Sequence, residues 1–182
     1  MAARPGGVPP CRTLAEYVRE LVARLGDADP TALARLRHVV GTRRARITLD
    51  DETVLVSFGR RGVAVRTTKG GGAADGRGST DRATTLDLLD GYCEVTEAVR
   101  AGRLQLVGAA EDVARMGQAV ELLLDVAART PVLQRLADDY RRDPCRPPAA
   151  PRRPPPDIVV PLVGPPSAAE RALLARHDLL PP

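Results

Sequence analysis

The residues best suited to chemistry in this chain are two histidines, three cysteines and a few paired carboxylates. Nucleophilic catalysis needs a Ser or Cys within reach of a base that a third group orients. His38 lies beside the basic run Arg35, Arg37, Arg43, Arg44 and Arg46, and His177 lies far downstream. Neither has a Ser, Cys or carboxylate partner at a recognisable motif spacing. Glu111-Asp112 is the type of pair that acid–base chemistry uses, but two acids opening a helix are favoured by its dipole alone. Cys11, Cys93 and Cys145 are widely scattered with no CxxC spacing, which argues against both a zinc site and a disulfide framework. The sequence therefore predicts no catalytic residue, no metal ligand and no cofactor.

The glycine-rich run over 68–80, TKGGGAADGRGST, invites comparison with phosphate-binding loops. The Walker pattern requires Gly-Lys-Ser/Thr, whereas Gly76 is followed by Arg77 and Gly78. The dinucleotide fingerprint places a third glycine where Asp75 stands here. Both motifs also open a helix, and this run follows strands instead. Glycine's backbone entropy makes such a stretch a flexible connector.

Composition narrows the remaining classes. The 27 basic residues exceed the 23 acidic ones, giving +4, a balance that can signal nucleic acid or an anionic membrane. All but Lys69 are arginine, and with abundant Ala, Gly and Pro this matches the codon bias of a GC-rich, actinobacterial genome, so the charge reads as incidental. Aromatics are only 2% of the chain: Phe58, Tyr17, Tyr92 and Tyr140. Without stacking platforms or a reader motif, the arginines over 35–46 do not make a nucleic-acid site. A core of Leu, Val and Ala packs less directionally than stacked rings and suits an interior with a cavity. The first ten residues lack a secretory h-region and no apolar window reaches 18 residues, so the expected location is cytoplasmic, with no integral membrane association.

Positioning elements follow from periodicity. Residues 1–12 read as a flexible lead. Thr13 with Glu16 forms a capping box, and Leu14, Tyr17, Val18, Leu21, Val22 and Leu25 trace one helical stripe ending near Gly26. Pro30 opens a second helix stopped by Gly41. The period then drops to two: Ala45, Ile47 and Leu49, then Val54, Val56 and Phe58, then Val63 and Val65 make an antiparallel meander. Thr84 with Asp87 starts a helical turn, Val95, Ala98 and Val99 lie on another helix, and Leu104, Leu106 and Val107 form a strand. The longest helix carries Val113, Met116, Val120, Leu123, Leu124 and Ala127, and Pro131 opens a last one with Leu133, Leu136 and Tyr140. From 144 to 182, 12 of the chain's 17 prolines forbid regular structure apart from a short helix over 167–177.

The segment LLDGYCEVTEAVRAGRLQLVGAAEDVARM resembles the sterol carrier protein 2 lipid-binding domain. Gly91 is followed seven residues later by Ala98, then by Gly102-Arg103, then by Gly108, the family's rhythm before its long amphipathic helix. Val95 and Val107 stand where the family often has a proline and a basic residue. The resemblance spans roughly 13 to 130, and a domain over 13–143 is expected. Those glycines also have a purely local reading: Gly91 and Gly102 suit left-handed positions just past helix ends.

The resemblance implies an α+β fold, a five-stranded mostly antiparallel sheet covered on one face by helices, with an apolar tunnel between the layers. The implied function is non-catalytic binding or carriage of a lipid, fatty acyl chain or sterol-like molecule. Candidate lining residues are Val54, Val56, Phe58, Leu104, Leu106, Met116, Val120, Leu123 and Leu124; the alternative is that they fill a solid core. A further alternative is a scaffold or regulatory module whose proline-rich tail recruits a protein partner through polyproline surfaces such as Pro154-Pro155-Pro156.

Overall fold

The computed structural model describes residues 11–59, 62–69 and 72–146. The tail from 147, its expected helix over 167–177 and His177 lie outside them. Helix α1 (Leu14–Ala28) starts on the expected capping box: the Thr13 N–H donates to Glu16 Oε2 at 2.7 Å, and Thr13 Oγ1 accepts from the Glu16 N–H at 3.3 Å. That backbone donor holds the Glu16 carboxyl below the usual carboxylate range. The helix runs two residues past Gly26, because α2 (Pro30–Val40) starts at once from Asp29, whose carboxylate accepts the Ala32 N–H at 2.9 Å. A Cβ on Gly26 would stand 3.1 Å from Leu33 Cδ2, so the glycine lets the two helices close on each other.

Strands β1 (Arg44–Leu49), β2 (Glu52–Gly59) and β3 (Gly62–Thr67) form the antiparallel meander read from the period-two pattern. The glycine-rich run departs from expectation. Its second half is a strand, β4 (Gly76–Thr80), pairing parallel to β1 with Ile47 opposite Gly78. β5 (Gln105–Gly108) closes the sheet antiparallel to β4, giving the order β3-β2-β1-β4-β5. Gly76-Arg77-Gly78 has almost no apolar side chain to alternate, so the pattern on which strands are recognised is absent. Glycine nevertheless makes room there for Met116: a Cβ on Gly76 would collide with Met116 Sδ, and one on Gly78 would lie 3.2 Å from Met116 Cε.

Helices α3 (Arg82–Leu89), α4 (Val95–Arg100), α5 (Ala110–Arg129) and α6 (Pro131–Arg142) complete an α+β fold with its helices on one face of the sheet. The cap of α3 is Asp81, which accepts the Thr84 N–H at 2.7 Å, rather than Thr84, which is itself buried. Gly91 and Gly102 take φ values of 73° and 69° just past α3 and α4, the left-handed positions expected of them. No helix among the described residues is long and apolar enough to cross a membrane.

The ends of the domain are tied together, against the expectation of no disulfide. Cys11 and Cys145 are bonded across 134 residues, their Cα atoms 5.4 Å apart. Spacing along the chain carried no hint of this, because α6 returns the chain to the start of α1. Residues 11–12 and 144–146, assigned from sequence to the lead and the tail, therefore pack into the domain. Beside the bond, Arg146 lies against the rings of Tyr17 (5.5 Å) and Tyr140 (5.2 Å), which meet edge to face at 5.2 Å. Its guanidinium donates to Glu52 Oε1 at 2.7 Å, while Glu52 Oε2 accepts the Leu14 N–H at 2.5 Å. Tyr17 donates its hydroxyl to Asp143 Oδ2 at 3.0 Å. Arg82, on the far side of Tyr140, donates to the carbonyls of Tyr140 (3.0 Å) and Arg141 (2.8 Å).

Two outcomes follow from this packing. A Cβ on Gly108 would stand 2.9 Å from the Asp75 carbonyl oxygen and 3.4 Å from Gly76 Cα, both backbone. Gly108→Ala should cost about 1–3 kcal/mol in urea denaturation, the usual range for overpacking. Burial first, and then the Asp143 carboxylate, push the Tyr17 hydroxyl from 10.0 up to about 12. The folded state thus holds the phenol proton more tightly than the unfolded chain does. That contribution is complete below pH 10 and is lost as pH rises through about 12. Tyr17→Phe should flatten the fall in stability across that window, measured by denaturation at stepped pH.

Candidate functional site

The apolar side chains do not form one core. Among the described residues, one cluster joins α1, the sheet and α6 around Leu14, Tyr17, Val54, Val56 and Leu136. A second joins helices at Leu25, Leu36, Val126 and Leu133. A third surrounds Ala98 with Cys93, Val95 and Leu104. Between the three lies a cavity of about 300 Å³, at the lower end of the range for small-molecule sites.

Each wall follows from local sequence. Alternation in β1 turns Ala45, Ile47 and Leu49 into the cavity, and Leu104 and Leu106 add to the same floor from β5 and the residue before it. Gly76 and Gly78 in β4 contribute floor without side chains, and Met116 settles onto them. Val18, Leu21 and Val22 of α1 and Leu36 and Val40 of α2 form one wall, with Leu88 and Leu89 of α3 opposite. The roof is α5. Its apolar stripe spans five turns, yet only Val126 is fully buried; Met116, Val120, Leu123 and Leu124 remain half-buried because they face the void.

Of the nine side chains named from sequence, eight line this cavity: Val56, Phe58, Leu104, Leu106, Met116, Val120, Leu123 and Leu124. Val54 does not. It is 1% exposed and packed solidly in the cluster under α1, one strand position nearer the Leu14 end than Val56. The sequence did not nominate the α1 and α2 wall, although the stripe that builds it was visible. It could not have nominated β4, whose contribution is the absence of side chains.

One end of the cavity is charged. Arg43 Nε donates to Asp112 Oδ1 at 2.5 Å and its terminal nitrogen donates to Glu111 Oε1 at 3.0 Å. Arg115 donates to the same Glu111 oxygen at 2.8–3.0 Å and to the Val39 carbonyl at 2.8 Å. The Arg115 hydrogen bond, then the nearby Arg43 charge, hold the Glu111 carboxyl below its ordinary range, and the Asp112 hydrogen bond raises Arg43. The two acids thus open α5 and tie it to the chain between α2 and β1. The cavity also touches Thr80, whose hydroxyl is buried with no partner among the described residues.

Nothing in this arrangement assembles a nucleophile. Cys93 is buried, and burial pushes its thiol up despite the Arg103 guanidinium 2.8 Å away, so it is a poor thiolate. His38 is exposed on α2, outside the cavity lining. Among the described residues no group of three His, Cys, Asp or Glu side chains could hold a metal ion.

A side chain that borders a void has fewer neighbours to lose than one in close packing. Leu25→Ala, in the filled helical cluster, should cost about 2–5 kcal/mol. Leu124→Ala, on the cavity wall, should cost under about 1.5 kcal/mol in the same denaturation assay. Equal losses would mean that the layers mesh and the cavity is closed in solution.

No family model matches the chain, and no curated protein matches it. Solved structures with a similar arrangement include a sterol carrier protein domain of Helicoverpa armigera, 12% identical, with TM-score 0.49, covering 67% of this chain and 96% of its own. A ubiquinone synthesis protein, UbiJ-SCP2, is 21% identical with TM-score 0.44, over 57% of this chain and 84% of its own. A sec-alkylsulfatase of Pseudomonas is 14% identical with TM-score 0.38, over 48% of this chain and only 14% of the sulfatase.

Proposed function

We propose that the protein binds and carries a hydrophobic molecule, a lipid, fatty acyl chain or sterol-like compound, without catalysing a reaction on it. The observation that carries this reading is the cavity between α5 and the sheet, walled almost wholly by aliphatic side chains. A cavity of this size that evolution had no use for would be filled, because each missing methylene forfeits packing energy. Burying a methylene contributes about 0.8 kcal/mol, so about ten of them suffice for micromolar binding with no directional contact. The Gly91, Ala98, Gly102, Gly108 rhythm and the order of elements support a distant member of the sterol carrier protein 2 lipid-binding family, and the arginine-for-lysine composition supports an actinobacterial-type one. The nine side chains named from sequence, less Val54, are the proposed contacts, together with Ile47, Leu21 and Leu36. A cytoplasmic location, expected from the sequence, is in tension with the Cys11–Cys145 bond, since such bonds persist mainly in oxidising compartments.

Native mass spectrometry of freshly purified protein, followed by organic extraction, should release a bound hydrophobic molecule. Val120→Trp, which puts an indole into the void from the middle of α5, should weaken uptake of a fluorescent fatty acid at least about tenfold while leaving the far-UV circular dichroism unchanged. A wild-type protein that is empty and takes up no fatty acid would remove the carrier reading and favour a scaffold role.

A further inference from the structure

The face of the sheet turned away from the helices has a composition unlike the rest of the surface. Side chains alternate across a strand, so those of opposite parity to Ile47, Val56 and Val65 lie on this face. Register then aligns them in transverse rows. The central row runs Arg66 on β3, Leu55 on β2, Arg46 on β1, Arg77 on β4 and Val107 on β5. At about 4.8 Å per strand this row is about 19 Å long. On one side of it lie Ser57 and Arg44, and on the other Thr53, Thr48, Ser79 and Gln105. No strand places a carboxylate on this face. The nearest, Asp75, precedes β4 and accepts the backbone N–H of Arg44 at 2.7 Å.

Charge on this face is also unbalanced in its contacts. Nine other arginines of the domain form ion pairs, but Arg44, Arg46, Arg66 and Arg77 form none among the described residues. Arg46 and Arg77 face each other directly on adjacent strands, where like charges are destabilising. Arg46 donates from a terminal nitrogen to the Gly72 carbonyl, and its Nε is buried with no partner among the described residues. Four guanidinium groups with no ion pair among the described residues, a line of hydroxyls and an exposed Val107 make a cationic, weakly apolar plane.

We infer that this open sheet face is a docking surface for an anionic lipid bilayer. Nucleic acid fits less well, because the face carries no aromatic side chain on which a base could stack and a broad sheet cannot enter a groove. A specific protein partner would find no aromatic anchor of the kind that concentrates binding energy. A fluid sheet of lipid phosphates needs neither, and each arginine at such a surface contributes about a fivefold gain in affinity. The inference does not depend on what occupies the cavity, which lies on the other side of the sheet.

Flotation with vesicles tests it. The full chain should float with an equal mixture of phosphatidylcholine and phosphatidylglycerol, and not with phosphatidylcholine alone. Raising salt from about 0.01 M to about 1 M, which shortens the Debye length from about 30 to about 3 Å, should release it. Arg46→Ser, Arg66→Ser and Arg77→Ser together should weaken flotation about a hundredfold, while Arg35→Ser with Arg37→Ser on α2 should leave it unchanged. The triple variant should melt no lower than wild type and take up fatty acid as wild type does, which separates this surface from the cavity. If the triple variant fails to fold, Arg66→Ser alone, on the edge strand, should still give about a fivefold loss. Equal flotation with neutral vesicles, or wild-type flotation by the variants, would overturn the inference. So would retention of double-stranded DNA by a protein that ignores both vesicle types.

Discussion

Helix α5 is fastened at its two ends and, between them, packs sideways on two apolar clusters while roofing the cavity. Near its start, Met116 rests on the bare backbone of Gly76 and Gly78, and the Arg43 and Arg115 hydrogen bonds to Glu111 and Asp112 fasten the first turn. Near its end, Val126 is wholly enclosed with Leu25 and Leu133. Between these ends Leu122 and Leu123 lean on the helical cluster and Val120 and Leu124 on the one around Ala98, with the cavity beneath. A helix is stiff enough to roof it because its backbone hydrogen bonds are internal.

Glycine at β4 decides how the layers meet. Replacing either residue with anything larger would lift the start of α5 off the sheet or drive Met116 from its seat. The parallel pairing of β4 with β1 has a related origin. The chain leaves β3 at one edge and crosses to the far side of β1, where a strand whose inner face is mostly glycine asks little of the residues facing it. The outer side of the same strand keeps one large residue, Arg77, so β4 is nearly featureless inward and cationic outward.

Sequence made much of this legible and left a definable remainder. Elements with strong periodicity were read correctly in type and order: the α1 stripe with its capping box, the three-strand meander, the long α5 stripe, and the left-handed glycines past α3 and α4. Eight of the nine candidate side chains border the cavity, and it was a resemblance in glycine spacing that supplied the layer arrangement periodicity lacks. Val54 lies in the filled cluster under α1, because alternation fixes which face a side chain takes, not how far along the strand the void extends. β4 was missed because glycine leaves no pattern, and the disulfide because pairing depends on where α6 returns the chain. The carboxylate-free face was in plain view as Arg44, Arg46, Arg66 and Arg77, but only register puts three of them in one row.

The covalent closure between Cys11 and Cys145 changes how the domain meets force. With their Cα atoms 5.4 Å apart, the bond turns the folded unit into a ring. Tension arriving from chain on either side would pass through the sulfur atoms and bypass every strand and helix between them. The fold inside is mechanically sheltered: pulling on the flanking segments cannot peel α1 or α6 away while the bond stands. Reduction would expose the same domain to end-on unravelling, beginning with the two helices that Arg146 and the paired tyrosines hold together.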